Sequence, residues 1–197
     1  MEFCKDLSSD KPSPGGGAAA AAAGAMGASL LVMVCGLTRK KKSHEANWAE
    51  LAKIQAELAG LRDSLLVLTE KDAESYDMVL EAIHRRKTDA SDEAREAYDD
   101  AVREATEVPR RTGAASLRVL ELGVKVASLG SRSATSDTGV GIRLAEVGVR
   151  GAAMNVLINL KDSSDPSYVR TVGEELMTRG ERAAALMKEA LETLERP

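Results

Sequence analysis

Large apolar residues recur at Leu51, Ile54, Leu58, Leu61, Leu65 and Leu68, followed in register by Asp72, Tyr76, Val79 and Ile83. Spacings of 3 and 4 alternate as far as Asp72, which is the period of one face of an α-helix. A helix is therefore predicted from Ser43 or Asn47 to about Lys87, with Asn47 and Glu50 spaced as a capping box. Unbroken, residues 44–87 would span about 66 Å at roughly 1.5 Å per residue. A compact chain of this size has a diameter near about 42 Å. The helix is expected to bend, break or project toward another subunit.

Upstream, PSPGGGAAAAAAGAMGASLLVMVCGL (12–37) places Met26, Leu30, Met33 and Leu37 on one stripe, with Ala20, Gly24, Gly27 and Ala28 on the opposite side. Small residues on one face predict a helix packed closely among other helices. Downstream, residues 91–108 read as a charged, solvent-facing helix, and Pro109 as the first turn of another ending near Gly130. A polar loop (131–136) precedes a helix from about Asp137 to Leu160. Its stripe is Val140, Leu144, Val147, Gly151 and Met154, with Gly148 and Ala152 permitting close approach. Asp165 and Pro166 open a last helix reaching Glu195. The first ten residues and the last few read as frayed. No stretch alternates apolar and polar positions as a half-buried strand would. The expectation is an all-α, single-domain bundle of about six helices over residues 1–197, including a long, bent second helix.

The apolar stretch admits other readings. A secretory signal needs basic residues before its apolar run, whereas here RKKK (39–42) follows it and Glu2, Asp6 and Asp10 precede it. Residues 17–37 are long enough for a bilayer. Half of them are Ala and Gly, however, and the one-sided distribution favours a buried helix over a span. A phosphate loop would need Lys and Ser or Thr directly after its last glycine, which GGGAAAAAAG does not offer.

Composition narrows the function classes. With a net charge of −4 over 197 residues and only five scattered aromatics, nothing points to nucleic acid. Two cysteines, Cys4 and Cys35, give no disulfide framework, so a reduced, cytoplasmic setting is expected. Two histidines without partners at ligand spacing argue against a metal site.

Three features carry candidate chemistry. Asp72 occupies a core position of a leucine seam, so it must be paired, raised in pKa, or facing a cavity. Gly15, Gly16 and Gly17 after Pro14 leave N–H groups unshielded at a helix N-terminus, and glycine there tolerates positive φ. That loop reads equally as an anion cradle or as a tight entry turn. Asn155 and Asn159 are an i, i+4 pair on one helix face amid Val156, Leu157 and Ile158.

SDKPSPGGGAAA with its Ala-rich helix, KDAESYDMVLEA, and SDTGVGIRLAEVGVRGAAMNVLINLKD together, in that order, resemble the formiminotransferase–cyclodeaminase C-terminal domain family, including stand-alone methenyltetrahydrofolate cyclohydrolases. The resemblance implies an all-helical homodimer or higher homo-oligomer that acts on a tetrahydrofolate derivative as substrate, with no tightly bound cofactor. It carries the family's glycine loop onto Gly15, Gly16 and Gly17, its helix carboxylate onto Asp72, its Ser-Asp pair onto Ser136 and Asp137, and its asparagines onto Asn155 and Asn159. Asp72 and Asp137 are the catalytic candidates, and the others are folate-binding candidates. Folate's glutamate tail would meet the glycine loop or the cations Arg39, Lys40, Lys41 and Lys42. IHRRKTD stands where family members tend to have a proline-containing turn, and the resemblance does not extend to a formiminotransferase half. The competing expectations are a non-catalytic helical scaffold and a membrane-anchored protein.

Overall fold

The computed structural model describes residues 2–89 and 91–195; the expected fraying at Arg196 and Pro197 lies outside them. Six α-helices follow one another: α1 (Glu2–Leu7), α2 (Gly16–Thr38), α3 (Trp48–Thr88), α4 (Asp92–Leu129), α5 (Thr135–Asn159) and α6 (Pro166–Glu195). Short 3₁₀ turns occupy Lys42–Asn47, Arg132–Ala134 and Leu160–Asp162. The count matches the expectation, but the six are not the same six. Residues expected to fray form α1, and the two helices expected on either side of Pro109 are one.

Pro109 lies buried inside α4, where its missing N–H leaves the Ala105 carbonyl without its helical donor. Asn159 supplies the replacement, its Nδ2 donating to Ala105 O at 2.6 Å. A tertiary contact thus carries the helix through its proline. The capping box is absent too: Asn47 makes no cap and instead donates through Nδ2 to Leu129 O at 3.2 Å, tying the start of α3 to the end of α4.

α2 through α5 form the bundle, and small residues set its spacing. Gly24 of α2 and Gly148 of α5 face Ser116 of α4 from two sides, and Gly27 lies against the Gly141 carbonyl of α5. A Cβ on Gly27 would come within 2.6 Å of that carbonyl, so the antiparallel α2–α5 pair closes only because the position is bare. Leu31, Leu51, Leu58, Leu65, Leu120, Leu122 and Ile142 fill the core. By length and composition α2 could cross a membrane, yet most of its apolar window is buried inside this bundle.

As its small residues predict, the small face of α2 packs inward, while its stripe of large residues does not. Met26, Met33 and Leu37 of α2, with Val140, Val147 and Met154 of α5, are exposed, and Met154 retains 72 % of its accessible surface. α6 is held on α4 by an ionic cluster: Arg110 pairs with Glu107 and Glu175, and Tyr168 donates its hydroxyl to Glu107 at 2.7 Å. Burial, then that bond, pushes the Tyr168 phenol up.

α3 is unbroken over 41 residues. Its first half lies along α2, with Leu65 at Gly24 and Gln55 donating to the Val32 carbonyl at 3.3 Å. Past Asp72, at the N-terminus of α2, its partner is α4, where Arg86 lies over the Tyr98 ring. The α3–α4 hairpin therefore projects beyond α2, and the overlong helix neither breaks nor fits within the bundle.

Candidate active site

The leucine seam of α3 leaves the core at Asp72. Leu51, Ile54, Leu58, Leu65 and Leu68 are buried, whereas Tyr76, Val79 and Ile83 continue the stripe along the wall of a cavity of about 410 Å³. The chain enters that cavity through a cis Ser13–Pro14 peptide and turns into α2 at Gly15. Gly15, Gly16, Gly17, Asp72, Asn155 and Asn159 all line it. Six residues from three separated segments meet because α2 runs antiparallel to both α3 and α5, bringing the start of α2 beside the middle of α3 and the end of α5.

Asp72 is half-buried, and its Oδ2 accepts the Ala18 N–H at 2.8 Å. It thereby does the work of an N-cap, since Gly15 has no side chain to bond the first-turn N–H groups. Burial raises the carboxyl above its usual range and the Ala18 bond partly offsets the rise. Gly17 is needed for this contact: a Cβ there would collide with the carboxylate. At Gly16 the nearest atom to such a Cβ is Asn155 Nδ2 at 3.5 Å, an ordinary contact. Among the described residues no glycine has positive φ, so the loop's glycines serve close approach, not backbone conformation.

Asn155 donates through Nδ2 to Gly151 O at 2.8 Å, as Asn159 does to Ala105 O. Their Oδ1 atoms have no protein partner among the described residues. The sequence reading missed Asp162, Ser13 and Ser75, which also line the cavity. For Asp162 the available signal was its place one turn after Asn159, on the same side of the helix end.

The remaining candidates lie elsewhere. Ser136 and Asp137 start α5, about 27 Å along its axis from Asn155 at roughly 1.5 Å per residue. Lys40 and Lys41 follow the far end of α2, where Lys41 Nζ lies 2.7 Å from Ser131 Oγ and 2.6 Å from Ser133 Oγ. A single chain thus divides the predicted site between opposite ends of the bundle, because α2 and α5 each run its length. Arg39 is likewise distant and bonds Gln55 at 2.8 Å. Among the described residues no three His, Cys, Asp or Glu side chains converge as a metal site would require. Cys35 is buried, its thiol raised to about 11 mainly by desolvation. A larger and more open groove of about 750 Å³ lies along the projecting parts of α3 and α4, where Arg85 and Arg103 are interleaved with Glu81 and Glu104. It collects none of the predicted residues.

Over 194 residues the chain is 37 % identical to the methenyltetrahydrofolate cyclohydrolase of Methylorubrum extorquens, covering 98 % of this chain and 93 % of that one. It is 30 % identical to the formimidoyltransferase-cyclodeaminase of Sus scrofa, matching 96 % of this chain to only 36 % of that longer protein. A crystal structure of formiminotetrahydrofolate cyclodeaminase from Thermotoga maritima superposes with a TM-score of 0.90 at 30 % identity, over 98 % of this chain and 94 % of that one. The formiminotransferase-cyclodeaminase family model matches residues 1–178, and the chain belongs to that family.

Proposed function

We propose that the protein is a cytoplasmic folate enzyme that hydrolyses the methenyl bridge of 5,10-methenyltetrahydrofolate, with Asp72 as its proton-transfer group. The observation that carries this reading is the Asp72 carboxylate, raised by burial and set over the glycine-built start of α2 in the same cavity as two asparagines. The higher identity and matching length of the cyclohydrolase relative favour hydrolysis.

The chemistry balances on one carboxylate. Asp72 takes a proton from water as the oxygen bonds to the methenyl carbon, leaving a neutral tetrahedral carbon between N5 and N10. The protonated Asp72 then returns its proton to N5 as the carbon–N5 bond breaks. The hydroxyl proton leaves to solvent and a formyl group remains on N10. A carboxyl poised above its usual range suits both halves of that exchange. Water is added and the carbon–N5 bond is broken with no change of oxidation state, so the reaction calls on no redox cofactor. Cyclodeamination is the second reading, supported by the fold of the Thermotoga maritima protein. There the protonated Asp72 would serve the ammonia that departs as N10 closes on the formimino carbon.

Residues 1–197 are read as one domain working as a homodimer. The exposed apolar stripes of α2 and α5 form one continuous face that a second copy would cover. A two-fold axis across those helices would bring the Lys40, Lys41, Ser136 and Asp137 end of one copy toward the Asp72 end of the other. The divided site would then be completed by Asp137 and Ser136 at the pterin and by the lysines at the glutamate tail. The test of function is direct. Purified protein is given 5,10-methenyltetrahydrofolate while its near-ultraviolet absorbance is followed, and separately 5-formiminotetrahydrofolate while ammonia is measured. Enzyme-dependent loss of the methenyl band is expected; no change with either folate would overturn the reading.

A further inference from the structure

Resting on the folate reading, we propose that Pro109 is a positioning residue for the reaction: it leaves the Ala105 carbonyl to Asn159 alone and so fixes that side chain in the cavity wall. Nothing about α4 as a helix calls for this residue. Proline is the costliest residue in a helix interior, since it lacks the N–H that the carbonyl one turn back requires, and its ring crowds that carbonyl. Pro109 nevertheless lies buried within α4, and Ala105, one turn back, lines the cavity. A local rule broken beside a site marks a place where function outweighs local stability.

The orphaned carbonyl and the asparagine satisfy each other. Asn159 ends α5, and its Nδ2 reaches across to α4, meeting Ala105 O at 2.6 Å. Asn155, one turn earlier, anchors instead on Gly151 O of its own helix at 2.8 Å and depends on no proline. An ordinary residue at position 109 would send its N–H along the helix axis to Ala105 O, and the asparagine would hold only a shared acceptor. Proline removes that competitor.

The bond also ties the end of α5 to α4 just before Leu160–Asp162, the turn whose Asp162 lines the cavity. A side chain held in place before substrate arrives has little rotamer freedom left to lose on binding. The fold itself does not require the pair, because alanine at 109 with leucine at 159 would return Ala105 O to an ordinary helical bond. Removing the proline should therefore favour the helix and loosen the site.

The experiment compares full-length wild type, Pro109→Ala, Asn159→Leu and the double variant by melting temperature and by steady-state kinetics. The substrate is 5,10-methenyltetrahydrofolate, or 5-formiminotetrahydrofolate if only that one is turned over. Pro109→Ala is expected to melt at or above the wild-type temperature while kcat/KM falls at least about tenfold, chiefly through KM. The pH profile of kcat should stay that of the wild type, because Asp72 and its Ala18 bond are untouched. Asn159→Leu should raise KM as much but melt lower, since Ala105 O then has no donor. In the double variant the restored helical N–H should bring the melting temperature back. Its KM should match that of either single variant, because the proline acts only through the asparagine. If Asn159→Leu alone does not fold, Pro109→Ala and the double variant still give that comparison. A wild-type KM in Pro109→Ala, or a loss of stability along with activity, overturns the assignment and makes the proline purely structural. A further large rise in KM when Asn159→Leu is added to Pro109→Ala overturns it as well, since the asparagine then works without its anchor. These outcomes leave the folate reading standing. Failure of the wild type to turn over either folate overturns the folate reading itself, and the assignment with it.

Discussion

Asp72 carries two duties with opposite demands, and substitution can separate them. As a cap it needs only an acceptor for the Ala18 N–H, which Asn provides; as a proton carrier it needs a carboxyl. Burial makes the folded protein hold this proton more tightly than the unfolded chain, whose carboxyl titrates near the ordinary 3.8. Stability from this group is therefore highest below 3.8 and declines as pH rises through the folded pKa, since the unfolded chain ionises first. Asp72→Asn should match the wild type in melting temperature below that pH and equal or exceed it at neutral pH. Turnover should fall at least about a hundredfold. Loss of both stability and activity would mark a structural residue. The glycines divide in the same way. Gly17→Ala should displace the carboxylate and cost both folding stability and turnover, whereas Gly16→Ala, against an amide at 3.5 Å, should leave the melting temperature near wild type and raise KM. Equal effects of the two on stability would contradict the observed geometry. That Asp72 stands apart from the core was legible because an acid interrupts a leucine seam; that Gly17 rather than Gly16 abuts its carboxylate was not, because the contact involves a side chain from another helix.

Helices were legible where one face is periodic, and misread where a distant residue supplies what the local sequence lacks. The start of α2, the reach of α3 and the opening of α6 follow from glycine, seam and Asp165–Pro166, whose carboxylate accepts the Ser167 and Tyr168 N–H groups at 2.9 and 3.0 Å. Pro109 defeated the local rule because Asn159 satisfies the carbonyl it orphans. Facing direction was legible in part: small residues on α2 predict close packing, which the bare contacts with α4 and α5 realise, whereas the exposure of its large stripe depends on no further helix among the described residues covering it. At the point where those three helices cross, Ser116 is fully buried with an Oγ that has no partner among the described residues. An unmade hydrogen bond there costs folding energy. Ser116→Ala should therefore leave stability unchanged or raise it by up to about 1 kcal/mol, read from the midpoint of chemical unfolding; a loss of that size would mean the hydroxyl has a partner.

At the scale of the whole molecule, the split of the predicted site is the strongest reason to expect two chains. The motifs carried by resemblance are contiguous in sequence logic but not in one fold: Asp72 with the glycine loop at one end, Ser136 and Asp137 with Lys40 and Lys41 at the other. Sequence could not show this division, since it depends on α2 and α5 both running the bundle's length in opposite senses. It could show that α3 is too long for its domain. The exposed face between the two ends, with Val147 at 53 % and Met154 at 72 %, is apolar enough to demand cover. A charge at its centre, as in Val147→Glu, should yield monomers by light scattering at micromolar concentration and abolish turnover without unfolding the helices. Complementation then tests whether the partner also supplies chemistry. If each cavity joins Asp72 of one copy to Asp137 of the other, Asp72→Asn and Asp137→Asn homodimers are both inactive. Unfolding and refolding an equal mixture makes half of the dimers hybrid. One cavity of each hybrid then carries both substitutions and the other neither. Activity should recover to about a quarter of the wild-type value per chain. No recovery despite hybrid formation would mean that both acids act within one chain or that Asp137 takes no part, and an active Asp137→Asn homodimer would decide for the latter.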